Sequence, residues 1–113
     1  MSRRTVLSVE EIIATTVTAS YQNFGNLLLN PCVVCIFVNT SDVEMYLSID
    51  GVKNNMRVPA GGTVCHDTKN LQNLPDTSVY IFPQKAQLQV KLQNPLASAK
   101  WGNLYCNLLS VEL

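Results

Sequence analysis

The chain has 113 residues, 47% of them hydrophobic and 14% charged, against about 25% charged in an average soluble domain. Eight basic residues balance eight acidic ones, so the formal net charge is zero. That length holds one domain, the apolar content excludes disorder as the main state, and neutrality excludes both a nucleic-acid binder driven by phosphate neutralisation and a monomer kept apart by self-repulsion. What remains is a compact, nearly uncharged domain, small enough to gain from oligomerisation and prone to associate. No apolar run is long enough for a transmembrane helix, so no membrane partner is expected. Glu10 and Glu11 interrupt the apolar stretch behind Arg3 and Arg4, which makes a poor signal peptide and points to an intracellular origin.

Along the chain, residues 1–8 read as a loose N-terminal arm and 9–113 as the domain. The β-branched run Ile12-Ile13-Ala14-Thr15-Thr16-Val17-Thr18 predicts a first strand. Tyr21 to Asn30 is an Asn-rich loop, after which Pro31 opens an apolar strand from Cys32 to Val38. That strand is apolar throughout, which predicts a central strand covered on both faces. Val43 to Ile49 alternates, with Val43, Met45, Leu47 and Ile49 on one side. Asp50-Gly51 marks a turn, Met56 to Val58 a short strand, Pro59-Ala60-Gly61-Gly62 a second turn, and Thr63 to Asp67 a strand. Lys69 to Asp76 reads as a loop and Ser78 to Phe82 as a strand closed by Pro83. Gln87 to Gln93 turns Leu88, Val90 and Leu92 inward, and after the loop Asn94 to Lys100 the stretch Trp101 to Val111 closes the chain with Leu104, Cys106 and Leu108 on one face. About eight short strands between turn signals predict an all-β, single-domain antiparallel β-sandwich of jelly-roll-like type.

A search for chemistry finds little. Cys32-Val-Val-Cys35 has knuckle spacing, but residues three apart on a regular strand point to opposite faces, and no second ligand pair follows. The four cysteines (32, 35, 65 and 106) read as reduced thiols, and neither a metal site nor a cofactor is expected. His66 is adjacent to Cys65, yet neighbours on a strand diverge, so the two cannot form a nucleophile–base pair. The carboxylates lie in turns or on outer faces, with no pair placed for acid–base work, and Gly61-Gly62 precedes no helix, so it is no phosphate loop. The expectation is a protein that is not an enzyme. Arg3 and Arg4 are the only clustered basic residues and form a candidate contact arm. Tyr21, Trp101 and Tyr105 are candidate interface or glycan-stacking aromatics. Asn and Gln, which bond to other surfaces without the desolvation cost of charges, fill many outward positions.

The segment Ser20-Tyr21-Gln22-Asn23-Phe24-Gly25-Asn26, the strand PCVVCIFVN at 31–39, the stretch Val43 to Gly51 ending in Ser48-Ile49-Asp50-Gly51, and Val58-Pro59-Ala60-Gly61-Gly62 together resemble small virion proteins of tailed bacteriophages. Leu74-Pro75 and the closing strand with Gly102 and Tyr105 are also similar, so the resemblance covers roughly 15–113. It implies a β-sandwich subunit of the virion, made in the host cytoplasm. Such a subunit is a homo-oligomer that binds portal, adaptor, tail or capsid subunits at the head–tail connector, the tail or the capsid surface. No catalytic residue carries over. The matching positions have structural roles: Gly51, Gly61 and Gly62 permit positive φ, Asp50 accepts bonds from its own turn, and Pro59 fixes the entry to the next. The competing reading is a carbohydrate-binding β-sandwich for host-surface attachment, with Tyr21, Trp101 and Tyr105 as its platform.

Overall fold

The computed structural model describes residues 5–67, 81–82 and 84–111. Among the described residues eight strands run in chain order: β1 (Thr5–Ile13), β2 (Gln22–Asn23), β3 (Cys32–Asn39), β4 (Met45–Ser48), β5 (Met56–Val58), β6 (Thr63–Asp67), β7 (Gln89–Leu92) and β8 (Asn103–Val111). A single 3-10 turn, Ala14–Thr16, follows β1. The strands form two antiparallel four-stranded sheets, ordered β1-β8-β3-β6 and β2-β7-β4-β5. The chain crosses between the sheets at every step but β4 to β5, and this is the jelly-roll arrangement of eight strands in two sheets. The sandwich expected from the sequence is therefore the observed fold.

Alternation decides which side of each strand is inside. Cys35 and Phe37 of β3, Met45 and Leu47 of β4, Val58 of β5, Val90 of β7 and Leu104, Cys106 and Leu108 of β8 are all essentially fully buried. Leu88, Phe24 and Phe82 fill the gaps, the last meeting Phe37 edge-on with ring centres 6.4 Å apart. The inward sets read from 43–49, 87–93 and 101–111 are thus the core.

Two turns are fixed by their own side chains. In the β4–β5 loop the Asp50 carboxylate accepts from the backbone N–H groups of Val52 (2.8 Å) and Lys53 (2.9 Å) and from the Ser48 hydroxyl (2.8 Å). Those donors hold Asp50 down at a pKa of about 2. Gly51 takes φ +76°, which L side chains rarely adopt. Where the chain leaves β3 for the second sheet, the buried Asn39 amide donates to the carbonyls of Val43 (2.8 Å) and Val58 (3.3 Å) and accepts from the Ser41 N–H (2.9 Å). Among the described residues no buried side-chain nitrogen or oxygen lacks a partner.

Several local expectations change. Residues 5–8 are not an arm: they form the first half of β1, in register from Thr5 opposite Val111 to Ser8 opposite Leu108. The first strand ends at Ile13, where the chain turns so that the Ala14 N–H reaches the Gly102 carbonyl (3.0 Å). The Tyr21 to Asn30 loop contains the two-residue β2. Most of the strand expected at 78–82, and the loop at 69–76, lie outside the described residues; Phe82 makes an isolated bridge to Cys32. Gly62 has no positive φ. It is kept small by Pro59, whose Cγ would stand 2.6 Å from an added Cβ.

Candidate assembly surface

The two sheets turn unlike faces outward. On the first sheet the register lines the outward side chains into rows across the strands. Leu7 stands beside Leu109, and Leu109 beside Val34. Val9, Asn107, Ile36 and Cys65 form the next row, and Glu11, Tyr105 and Val38 the one after. Leu7, Val9 and Ile13 on β1 are 80%, 64% and 56% exposed. Leu7, Val9, Val34, Ile36, Asn107 and Leu109 line a shallow hollow of about 320 Å³. Around the β1 edge a groove of about 350 Å³ separates Val6, Ser8 and Glu10 from the loop Asn26 to Asn30, which exposes Leu27 and Leu29. Isolated surface leucines are ordinary, but a contiguous apolar face on a small domain marks an interaction site.

The outer face of the second sheet is polar. Tyr46, Arg57 and Lys91 stand side by side by register. Arg57 Nε lies 2.9 Å from the Glu44 carboxylate, and Lys91 Nζ lies 4.7 Å above the Tyr21 ring. Partial burial, then the Asp50 carboxylate, push the Tyr21 hydroxyl above its ordinary pKa, and that hydroxyl donates to Asn54 Oδ1. The expectation that β3 is covered on both faces is met on one: its inner side is sealed, while Val34, Ile36 and Val38 keep solvent contact.

The aromatics singled out in the sequence do not share a platform. Tyr21 lies on the outer side of the second sheet, Tyr105 on the outer side of the first with its hydroxyl accepting from Asn103 Nδ2 (3.0 Å), and Trp101 is a 60% exposed side chain in the approach to β8. Arg3 and Arg4 lie outside the described residues. Asp50, Gly51, Pro59, Gly61 and Gly62 occupy the β4–β5 and β5–β6 turns, where Pro59 O accepts from the Gly62 N–H (3.0 Å). Sequence reasoning missed Leu7, Val9 and Ile13. Their signal was an every-other-residue apolar spacing, masked by reading 1–8 as an arm.

The cysteines also depart from expectation. A register shift between Cys32 and Val34 is a β-bulge, and the extra residue brings Cys32 and Cys35 to the same, inner side. The Cys32 thiol donates to the Val34 carbonyl (3.1 Å); its interaction with the neighbouring Cys35 thiol lowers the pKa of Cys32 and raises that of Cys35, while burial also raises Cys35 and is the main force raising the nearby Cys106. Cys65 alone of the four is exposed. Among the described residues no three His, Cys, Asp or Glu side chains gather as metal ligands, and no helix is long and apolar enough to cross a membrane.

Fold and surface together define a class: a small jelly roll with one apolar and one polar outer face. Among solved structures the chain is similar to a chain of the cyanophage Pam1 capsid asymmetric unit, with TM-score 0.58 and 11% identity over 98% of this chain and 86% of that one. It is also similar to a chain of Bacillus endospore appendages, a family of disulfide-linked pili, with TM-score 0.53 and 10% identity over 100% of this chain and 93% of the other. At such identities the likeness is one of fold. No protein family matches the chain, and no curated protein sequence does.

Proposed function

We propose that this protein is a structural subunit of a bacteriophage virion, acting by protein–protein contacts at the head–tail connector, the tail or the capsid surface. The observation that carries the reading is the apolar outer face of the first sheet, a surface with the composition of an interface core. The capsid and pilus chains that share the fold support it, since both come from assemblies. The partners are other virion subunits, including copies of this chain, and the mechanism is burial of surface rather than chemistry. Purified virions of the encoding phage, digested and quantified by mass spectrometry, should contain the chain at a fixed copy number per particle. Its absence from particles would overturn the proposal. The glycan-binding alternative gains no support from the separation of Tyr21, Trp101 and Tyr105.

A further inference from the structure

We infer that the apolar face of the first sheet is covered by the same face of a second copy of this chain, in a two-fold, sheet-on-sheet interface. The inference rests on the assembly reading and names the partner for its surface. The size suits it: four strands spaced about 4.8 Å apart and up to nine residues long give a footprint of roughly 400–500 Å². With side-chain relief, two copies bury on the order of 1,200 Å² together, which reaches the range of specific interfaces rather than casual contacts. Extended sheets pack face to face at about 10 Å with their inner side chains interdigitated, as the two sheets of one chain already do.

Charge selects the occupant. The row through Val9 carries no charged residue, and the row through Leu7 carries none on β1, β8 or β3 and reaches Asp67 only at its β6 end, so whatever covers these three strands must be neutral and apolar there. The opposite face of the same chain, with Glu44, Arg57 and Lys91, fails that requirement, because covering apolar rows with it would strip water from charges that gain no new partner. Head-to-tail stacking of first sheet on second is therefore disfavoured, and like on like remains. Asn107 adds a second reason. It is the one polar side chain projecting into the hollow from the outer rows, and an amide is at once donor and acceptor. A two-fold interface sets a residue near its axis against its own copy, so facing Asn107 amides satisfy each other.

Sedimentation equilibrium of the purified chain tests this. The wild type should reach the dimer mass at rising concentration. Leu7→Lys with Val9→Lys should weaken self-association by at least about a hundredfold, since it buries unpaired charge, with the thermal midpoint extrapolated to monomer unchanged because both side chains are exposed in the single chain. Asn107→Asp should weaken it as well by setting two carboxylates against each other, whereas Asn23→Lys, on the other outer face, should leave the dimer intact. Cys65 lies in the row of Val9 and Ile36, so its alkylation should slow as the wild type dimerises and stay fast in the lysine variant. A wild type that is monomeric at every concentration overturns the inference, as does a dimer that survives the lysine pair. Adding the encoding phage's virions separates the two readings. A monomer that binds particles through Leu7 and Val9 overturns the second copy and leaves the virion role standing. A dimer broken by the lysine pair, from a chain absent from particles, supports the interface and removes the virion role.

Discussion

Replacing Asn39 with alanine should cost about 3 kcal/mol of folding stability, because it strips partners from buried backbone at the point where the chain passes between sheets. Four bonds go: to the carbonyls of Val43 and Val58, and from the N–H and the hydroxyl of Ser41. The Val43 carbonyl keeps the Ser41 hydroxyl as a donor at 3.1 Å, so two groups, the Val58 carbonyl and the Ser41 N–H, lose the partner Asn39 gave them. Each buried group left unpaired costs about 1–3 kcal/mol. For a chain of this length the loss corresponds to a fall in thermal midpoint of roughly 12–15 °C. Urea denaturation followed by circular dichroism at one fixed protein concentration reads it directly, the fixed concentration removing any contribution from self-association. Asn39→Asp is the informative companion. It keeps an acceptor for the Ser41 N–H but turns a second carboxylate oxygen toward two carbonyls, so at pH 7 it should be worse than alanine. A loss below about 1 kcal/mol for Asn39→Ala would refute the assignment of Asn39 as the polar anchor of this crossing.

Gly102→Ala should be harsher still: an added Cβ would lie 2.5 Å from both the Thr40 carbonyl oxygen and the Ser41 Cα, at φ +90°. Loss of soluble yield, or a urea midpoint lowered by the equivalent of more than about 2 kcal/mol, is the expected result. Acid should weaken the fold in a defined window. Asp50 is depressed to about 2 and Asp42, which accepts from the Lys100 N–H, is also lowered. Their contribution is present above the unfolded carboxylate pKa near 3.9 and is lost as the pH falls toward 2. Asp50→Asn should flatten the fall measured by urea titration across that range, and an unchanged slope would contradict the assignment. In dilute native protein a thiol reagent should titrate one cysteine per chain, Cys65, and all four after denaturation; rapid native reaction of Cys32, Cys35 or Cys106 would mean that the sandwich opens more readily than its packing implies.

Most of the fold was legible because burial follows a period of two. Leu88, Val90 and Leu92, or Leu104, Cys106 and Leu108, announce an inner face without any knowledge of their partners. β1 was harder. Thr5 to Ser8 look like an unstructured end because their partners, Leu108 to Val111, lie at the far end of the chain, and only that pairing makes them strand. The thiol geometry was illegible for a different reason. The alternation rule places Cys32 and Cys35 on opposite faces, and one bulged residue reverses the answer. The assembly surface was half visible: β3 showed an apolar run on both sides, but nothing local says that one of those sides stays uncovered within a single chain. Tyr21, Trp101 and Tyr105 were grouped by residue type, whereas the crossings between sheets set Tyr21 and Tyr105 on the outer sides of different sheets.

The register that lays β1 against β8 has a kinetic consequence. Thr5 pairs with Val111, roughly a hundred residues further along the chain, so on the ribosome β1 waits for β8 before its sheet can close. Pairings this distant put the chain among slow-folding β domains, on a scale of about milliseconds to seconds. Throughout that wait Leu7 and Val9 have neither a neighbouring strand nor a completed face, and nascent chains that meet one another then can stick through the same residues. Productive association of finished subunits and clumping of unfinished ones thus draw on one set of side chains, and the arrival of β8 decides between them.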